Sequence, residues 1–492
     1  MGIKTVALYP TEKEKDQFLE TRFADESYCL EENGVFGYLN QKKIIQIAKR
    51  SGAQAIHPGY GFLAENGNFS DLCKQNDIKF IGPSGWILRM LGNKIEAKKI
   101  AKSIGLPLLP GSDIAVKDEK SFLRIANQLK PPFLLKAANG GGGVGIREIT
   151  EENEKDILEI FRQLQRETKS AFDSDEIFVE KFLKDPRHIE FQILGDGTGK
   201  VLHFGERECS IQRRHQKLIE ESPSPFLDEK TREKMAKLCV RFGERLKYES
   251  LGTIEFLIGQ DKRYYFLEVN PRLQVEHPVT ELTTGIDLVE KQIRIANGER
   301  IGLNQKDIKF SGWAMEFRIY AENAANNFLP HEGIITNYFV PGGKGIEIHS
   351  FCQQNQRIFP YFDSLISKLV VYAKSRQRCI KRAKRAFEEY LIEGVPTLIP
   401  FYQVLLDNPK FIAGSLSTSF IESEKILDLL KGRKEEIKVA FNNNNGEIKK
   451  EELAKIIAHL YLELKKEKPA ALEVSKWKMF ERIKLLEDQY GD

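Results

Sequence analysis

The sequence lacks a run of about 18 consecutive apolar residues, the length that a membrane-spanning helix requires. Its first residues also lack the apolar core and cleavage pattern of a secretory signal. Neither sign of charge dominates, because 75 basic side chains nearly balance 71 acidic ones. Such a chain has no overall field that would hold DNA or an anionic membrane. We therefore expect a cytoplasmic protein with no nucleic-acid partner and no membrane partner.

Cysteine is scarce, and its spacing is uninformative. The six cysteines are scattered without a CxxC pair, which argues against a zinc site and against a disulfide framework. We expect reduced thiols. A Walker A loop is also absent, because no Gly-Lys-Ser/Thr follows the glycine run at residues 140–143.

What the sequence does contain is typical of a folded chain with several domains. It has 492 residues, of which 41% are apolar and 30% charged. Short β-rich runs alternate with amphipathic helices over the first 90 or so residues, which predicts a parallel α/β unit. A second α/β segment begins near residue 133 with a helix expected over 150–166, and a β-rich body follows. Beyond Phe420 the composition changes, and an amphipathic helix near residues 453–464 indicates an appended tail.

The glycine run at residues 140–143 follows a predicted strand that contains Lys136. Glycines let backbone N–H groups approach phosphate oxygens closely, and Lys136 would add a positive charge. A mobile flap over a nucleotide and a plain solvent-exposed hairpin are both compatible with this pattern.

A second pattern covers residues 268–276. If this run is one extended strand, Glu268, Asn270, Arg272, Gln274 and Glu276 share one face, since side chains alternate along a strand. Carboxylate and amide oxygens two residues apart suit Mg²⁺, and Glu255 is a natural further ligand. Arg272 and Glu276 would bind an anion and move a proton. The plainer alternative is a half-exposed edge strand.

A third group, at residues 206–221, is rich in anion-binding side chains, although a solvated loop would have the same composition. Taken together, the residues predict a nucleotide, Mg²⁺ and an anionic substrate.

Four segments in order along the chain resemble the signature set of biotin carboxylases. They are residues 57–66 (HPGYGFLAEN), 186–192 (PRHIEFQ), 212–217 (QRRHQK) and 274–281 (QVEHPVTE). The resemblance implies a multidomain α/β and α+β chain with the ATP-grasp fold, an N-terminal Rossmann-like domain and a C-terminal β-rich domain. We expect domains at residues 1–93, 94–300 with a mobile flap at about 110–182, and 301–425, followed by a helical extension at 426–492.

The resemblance also implies site residues. ATP would be bound by Lys94, Lys136, Gly142, Gly143, Glu180, Lys181, Phe182, Leu183, His188, Gln212, His215, Glu255 and Glu268. Mg²⁺, or Mn²⁺ in its place, would be held by Glu255, Glu268 and Asn270, and bicarbonate by Lys217, Arg272, Gln274, Val275 and Glu276. Glu276 would deprotonate bicarbonate, and Arg318 would stabilise the biotin enolate, so that Lys217, Arg272, Glu276 and Arg318 form the catalytic set.

The partners follow from the same resemblance. The chain has no Ala-Met-Lys-Met biotinylation sequence, so the biotin is expected on a separate carrier that works with a carboxyltransferase. A homodimer is typical of the family. The final acceptor, whether pyruvate, 2-oxoglutarate or an acyl-CoA, is selected by the carboxyltransferase and stays open.

The sequence departs from the family pattern in three places. Asn139 and Val144 stand where Gly and Arg are common, and Pro271 stands where Thr is frequent. Family chains also usually begin with a further strand and a glycine-containing helix.

Two alternatives to the biotin carboxylase function remain. They are another ATP-grasp ligase that forms an acyl phosphate, and a nucleotide-binding scaffold without activity.

Overall fold

The computed structural model describes residues 1–112, 115–137, 145–172 and 175–432. Residues 1–427 form one compact unit. Three predictions concern residues outside the described ranges: the nucleotide contacts of Gly142 and Gly143, and the amphipathic helix of the C-terminal extension.

The N-terminal region consists of short parallel strands with helices between them. Its elements are β1 (Val6–Tyr9), α1 (Glu20–Phe23), β2 (Glu26–Cys29), α2 (Phe36–Leu39), α3 (Gln41–Ser51), β3 (Ala55–Ile56), α4 (Gly67–Gln75), β4 (Lys79–Phe80) and α5 (Gly85–Gly92). Strand β1 pairs in parallel with β2, and β3 pairs in parallel with β4. Helix α3 buries Ile44, Ile45 and Ile47. It ends at Ser51 and is followed by Gly52, whose φ of 71° suits a residue without Cβ. The predicted parallel α/β pattern is confirmed.

A small antiparallel sheet comes next, with helices packed on it. Its elements are α6 (Lys94–Ser103), α7 (Glu119–Leu129), β5 (Phe133–Ala137), β6 (Ile146–Ile149), α8 (Ile157–Phe172) and β7 (Ile177–Lys181), with strand order β6-β5-β7. Phe122 and Phe161 stack at 4.3 Å between ring centroids in its core. The helix expected at 150–166 in fact begins at Ile157, because the Asn153 side chain accepts from Thr150 N in a turn before it.

The body is built on an eight-stranded antiparallel sheet in the order β12-β11-β8-β9-β10-β13-β20-β18. Its first strands and helices are β8 (Arg187–Asp196), β9 (Val201–Arg213), β10 (Gln216–Ser222), α9 (Glu229–Arg245), β11 (Glu249–Ile258), β12 (Tyr264–Asn270), α10 (His277–Thr284), α11 (Leu288–Ala296) and β13 (Trp313–Tyr320). The remaining elements are β14 (Glu322–Asn323), β15 (Leu329–Pro330), β16 (Gly333–Ile334), β17 (Tyr338–Phe339), β18 (Ile346–Ser350), β19 (Arg357–Ile358), β20 (Leu365–Ala373), α12 (Arg376–Glu389), β21 (Leu391–Ile392), α13 (Ile399–Leu405), α14 (Pro409–Ala413) and α15 (Phe420–Ser423).

The two faces of this sheet differ in chemistry. Side chains from β8 and β11, such as Phe191 and Phe256, join Phe242 of α9 in an apolar core. The alternate residues on the same strands are polar, and they are buried as well: Glu190, Gln192 and Glu255 are at most 4% exposed. Helix α10 lies against this polar face, where Thr280 accepts from Arg207. Buried charged groups need partners, so this face is where a functional site is expected.

The prediction that residues 268–276 form a single extended strand is wrong. Strand β12 ends at Asn270, and Glu276 is the residue that precedes helix α10. Pro271 has no N–H to donate to the sheet, and the chain turns there, with Arg272 N donating to Asn270 O at 2.9 Å. The turn directs the second half of the run toward the middle of the sheet.

Candidate active site

Lys217 is the centre of the buried polar face. Its Nζ lies 2.5 Å from Glu190, 2.9 Å from Glu255 and 2.9 Å from Glu276. Burial lowers the pKa of Lys217, but the three carboxylates outweigh this effect and raise it well above its usual value. The ammonium group is therefore charged at neutral pH, and it holds together residues of β8, of β11 and of the turn before α10.

Arg207 holds Glu190, one of the three carboxylates that contact Lys217. Its side chain is completely buried, and its Nε donates to Glu190 at 2.6 Å. The other guanidinium nitrogens donate to Gln192, Thr253 and Thr280 at 2.7 to 3.1 Å. All three nitrogens are satisfied, so the planar group fixes Glu190, which in turn fixes Lys217.

Glu276 lies between two cations. Its Oε1 contacts Lys217 at 2.9 Å, and its Oε2 contacts Arg318 Nη2 at 2.8 Å. Burial raises the pKa of Glu276, but Lys217 and Arg318 outweigh burial and hold that pKa well below its usual range. The group is an ionised carboxylate at neutral pH. Arg318 also contacts Glu220, at 2.6 Å from its Nε.

The expected metal ligands share one corner of the sheet. Glu255 and Glu268 are directly opposite each other on β11 and β12, and the Asn270 amide donates to Glu255 Oε1 at 2.8 Å. Burial and the charge of Glu255 raise the pKa of Glu268. Two adjacent carboxylates and an amide oxygen fit a hard divalent cation, which would relieve their repulsion. Within the described ranges, His188, Glu190 and Glu255 also bring ligand atoms within 4.8 Å of one another.

The expected bicarbonate residues line the turn after β12. Arg272 Nε lies 2.6 Å from Glu65, and its Nη2 donates to Asn270 at 3.2 Å. The Gln274 amide satisfies its neighbours when its nitrogen faces Glu276 Oε1 at 3.3 Å and its oxygen faces Arg272 Nη1 at 3.3 Å. The carbonyl of Val275 accepts from Lys368 Nζ at 2.5 Å. The turn thus gathers an anion-binding guanidinium and an amide beside Glu276.

The expected nucleotide residues on the small sheet converge at Glu180. Its carboxylate contacts Lys98 and lies 2.6 Å from Lys136 Nζ. Burial raises the pKa of Glu180, but Lys136 and Lys98 outweigh burial and lower the pKa to about 2. Lys181 points elsewhere, because its Nζ donates to the carbonyls of Leu129 and Lys130 at 3.1 and 2.8 Å.

The other expected nucleotide residues lie on neighbouring elements. Lys94 begins α6, after Asn93 has capped that helix through the N–H groups of Ile95 and Glu96. His188 Nε2 is 2.9 Å from Glu255 Oε2, which links the nucleotide group to the metal corner. Gln212 is buried near the end of β9, and His215 lies in the exposed turn between β9 and β10. Phe182 and Leu183 follow β7 directly, and Phe182 N donates to Pro132 O at 3.2 Å.

Sequence reasoning missed several residues of this site. They are Glu65, Lys98, Glu190, Arg207, Glu220, Glu316 and Lys368. Four of them lie inside segments that were already singled out: Glu65 in 57–66, Glu190 in 186–192, and Arg207 and Glu220 in 206–221. The available signal was charge at positions that alternate with apolar residues in long strands, which predicts a buried polar face.

Three family profiles match almost all of the compact unit. They are "Biotin carboxylase, N-terminal domain" over residues 1–88, "Carbamoyl-phosphate synthase L chain, ATP binding domain" over 93–304 and "Biotin carboxylase C-terminal domain" over 316–423.

Individual relatives agree with these profiles. A pyruvate carboxylase subunit of Methanothermobacter thermautotrophicus is 46% identical over 423 residues, which are 86% of this chain and 85% of that protein. A biotin carboxylase of Nostoc sp. is 45% identical over 86% of this chain and 94% of its own length. Among solved structures, the biotin carboxylase domain dimer of Hydrogenobacter thermophilus 2-oxoglutarate carboxylase, in complex with MgADP, ADP and bicarbonate, has a TM-score of 0.83. It is 42% identical and covers 87% of this chain and 93% of that one.

These matches span all the described elements of the site, and they confirm the fold class predicted from the sequence, an ATP-grasp chain with α/β and β-rich parts. The chain belongs to the biotin carboxylase family of ATP-dependent carboxylases.

Proposed function

We propose that this chain uses ATP and bicarbonate to carboxylate biotin carried on a separate subunit, within a pyruvate, 2-oxo-acid or acyl-CoA carboxylase. The observation that supports it most is Glu276, an ionised carboxylate between Lys217 at 2.9 Å and Arg318 at 2.8 Å. One cation beside it suits the bicarbonate substrate, and the other suits the anion that forms on biotin. A carboxylate between them can take the proton of bicarbonate in the first half-reaction.

In the first half-reaction, Glu276 takes the proton of bicarbonate. A bicarbonate oxygen then forms a bond to the γ-phosphorus of ATP while the bond between that phosphorus and the ADP oxygen breaks, which yields carboxyphosphate and ADP. The low pKa of Glu276 keeps it unprotonated before this step. When bicarbonate binds, its negative charge offsets part of the positive charge of the neighbouring cations. They then stabilise the Glu276 carboxylate less, and it becomes a stronger base.

Bicarbonate would be held by the turn after β12. Arg272 and Lys217 supply charge, and Gln274 and the backbone N–H of Val275 supply neutral hydrogen bonds. Arg272 reaches this role by exchanging its contact with Glu65, 2.6 Å away, for the substrate. Lys368 anchors the Val275 carbonyl at 2.5 Å, so that peptide is held in place before substrate arrives.

The nucleotide would lie between the small sheet and the body. Lys136 and Lys94 would face phosphate oxygens. Gly142 and Gly143 lie outside the described residues and stay predicted nucleotide contacts. The hinge would be formed by Glu180, Lys181, Phe182 and Leu183, and the body would contribute His188, Gln212 and His215. Lys98 joins this group through its contact with Glu180.

Glu255, Glu268 and Asn270 would hold Mg²⁺ or Mn²⁺. The bound ion would neutralise charge on the phosphates. The protein's own contribution is to keep the two carboxylates adjacent, which it does through the direct pairing of Glu255 with Glu268 across β11 and β12.

In the second half-reaction, carboxyphosphate releases CO₂ and phosphate beside biotin, which is a substrate of this chain. The phosphate released from carboxyphosphate takes the proton of the ureido nitrogen, negative charge develops on the ureido oxygen, and the nitrogen then forms its bond to CO₂. Arg318 would stabilise that charge, and its position is fixed by Glu220 and Glu276.

We also propose the assembly and compartment that this reaction requires. A biotin carrier and a carboxyltransferase would be the partners, and the chain would form a homodimer. The state of the cysteines supports a cytoplasmic location, because all six are free thiols and five of them are buried. The described residues include no helix that is both long and apolar enough to cross a bilayer.

The test is ATP hydrolysis by the purified chain with Mg²⁺, bicarbonate and free biotin. We expect ADP release to need bicarbonate and to rise when free biotin is added. Arg272→Ala should abolish the biotin stimulation, whereas Arg263→Ala should not, because Arg263 lies on the surface, where it pairs with Asp261. Bicarbonate dependence without any biotin response would favour another ATP-grasp ligase, and no bicarbonate dependence would contradict the proposal.

A further inference from the structure

Glu220 and Glu316 form an unusual pair beside Arg318. They are direct partners across the antiparallel strands β10 and β13, and each is 0% exposed. Residues that face each other in this way have their Cβ atoms roughly 5 Å apart, and like charges there repel. With no water to screen them, two ionised carboxylates at these positions would be strongly destabilising.

The hydrogen bonding of the pair is incomplete. One oxygen of Glu220 is held by Arg318 at 2.5 Å, while its Oε2 and both oxygens of Glu316 are buried without a hydrogen-bond partner among the described residues. Lys368 Nζ approaches Glu316 Oε2 only to 3.6 Å. Buried carboxylate oxygens are rarely left in this condition, and one proton shared between the two groups would satisfy two of these three oxygens.

The surrounding charges do not supply the missing compensation. Three cations face the pair: Arg318 on β13, Lys368 on β20 and Lys217 on β10. The other titratable groups that face it are Glu276 before α10, Cys209 on β9, Tyr60 in the N-terminal region and Tyr402 on α13. Lys217 is already shared among three carboxylates. Arg318 also serves Glu276, so the pair is left with fewer positive charges than carboxylates.

We propose that Glu220 and Glu316 share one proton and act as a positioning pair that holds Arg318 without cancelling its charge. This inference rests on the function proposed above, in which Arg318 stabilises the anion on biotin. With one proton on the pair, Glu220 still accepts from Arg318 Nε at 2.6 Å, so the guanidinium keeps its orientation. If both groups were ionised, Arg318 would face the substrate with much of its positive potential neutralised.

The direction of the titration agrees with this geometry. Burial raises the pKa of Glu220 to about 8, against the opposing effect of Arg318. Burial likewise raises the pKa of Glu316 to about 7, against the opposing effect of Lys368. The shared proton is therefore present at neutral pH and is lost as the pH rises through about 8. Its loss adds one negative charge next to Arg318.

The test compares the biotin-dependent rate of Glu220→Gln with that of the unmodified chain across pH. The variant keeps an acceptor oxygen for Arg318 and leaves Glu316 as the one titratable carboxylate of the pair. The pair then carries at most one negative charge, whereas the unmodified pair gains a second one as the pH rises. We expect the ratio of variant to unmodified rate to rise about tenfold between about pH 6 and about pH 9. Glu316→Gln makes the same change of charge and should give the same trend, which preserves the test if Glu220→Gln does not fold.

A matched control is Glu208→Gln, which changes a buried carboxylate held by Arg187, Ser210 and Ser224 away from Arg318. Its ratio to the unmodified rate should not vary with pH. A Glu220→Gln or Glu316→Gln ratio that is equally flat would overturn the inference and would indicate a merely structural role. If the unmodified chain shows no bicarbonate- and biotin-dependent hydrolysis at all, the proposed function fails, which is a different result.

Discussion

At the scale of single residues, the site depends on cations that neutralise a surplus of buried carboxylates. Lys217 is the clearest case, since one ammonium group compensates Glu190, Glu255 and Glu276 together. Removing one partner of a buried ion pair leaves the other charges uncompensated, which costs far more than the loss of a surface ion pair.

Lys217→Met tests this arrangement. We expect it to lower the free energy of unfolding by about 3–5 kcal/mol and to abolish bicarbonate-dependent ATP hydrolysis. Lys262→Met is the control, because Lys262 makes an exposed pair with Asp228 at 3.7 Å, and its loss should change stability by less than about 0.5 kcal/mol. Urea denaturation of both variants measures the difference. Equal effects would show that Lys217 does not compensate these carboxylates.

Glu281 gives a pH prediction outside the reacting groups. Its side chain is 22% exposed at α10, and burial raises its pKa from 4.5 to about 7, against an opposing hydrogen bond from Leu288 N. The folded chain therefore holds a proton that the unfolded chain has lost. This contribution to stability is complete below about pH 4.5 and is lost as the pH rises through about 7, a change of up to about 3 kcal/mol.

Glu281→Gln removes that titration. We expect the variant to gain stability relative to the unmodified chain as the pH rises from about 5 to about 8. Urea midpoints at the two pH values measure the change. A difference between the two proteins that stays constant with pH would contradict the prediction.

At the scale of secondary-structure elements, the polar face of the sheet requires β8, β9 and β11 to pack closely. Gly195 on β8 shows how closely, because a Cβ added there would lie 2.0 Å from Tyr248 O. Moving this backbone oxygen would disturb the pairing of the strands, so Gly195→Ala should destabilise the chain by about 1–3 kcal/mol. Gly92→Ala, at the end of α5 with open space around it, should be neutral or slightly stabilising. Thermal unfolding of the two variants checks this, and an equal tolerance of both would argue against the register of β8 and β11.

The elements were predictable to different extents. Long strands such as β8 and β11 were expected because apolar and β-branched residues recur along them. The run at 268–276 has the same alternation, yet it turns at Pro271, where the missing N–H ends the strand. Periodicity alone placed Glu268 and Asn270 on one face, but it gave the wrong path for Arg272 and Glu276.

At the scale of the whole molecule, the site joins distant parts of the chain. Arg272 meets Glu65 across 207 residues, and Arg318 meets Glu220 across 98. The linear signatures predicted the family and singled out many of the residues that the fold gathers. They could not predict these long-range partners, because a single sequence does not show which strands become neighbours.

Binding of MgADP should stabilise the whole compact unit. A ligand that binds only the folded chain at about 100 times its Kd adds about 2.7 kcal/mol to the free energy of unfolding. We expect most of the part that depends on Mg²⁺ to disappear in Glu268→Gln, while the stabilisation by ADP alone persists. Thermal shift with ADP, with and without Mg²⁺, measures both parts. A full Mg²⁺ effect in the variant would contradict the assignment of the metal corner.

The most direct measurement of the proposed chemistry is the transfer of labelled carbon from bicarbonate to free biotin by the purified chain. With ATP and Mg²⁺, we predict labelled carboxybiotin and an equal amount of ADP above the biotin-free background, and neither product from Glu276→Gln. Formation of ADP without label on biotin, or undiminished transfer by Glu276→Gln, would contradict the proposed function.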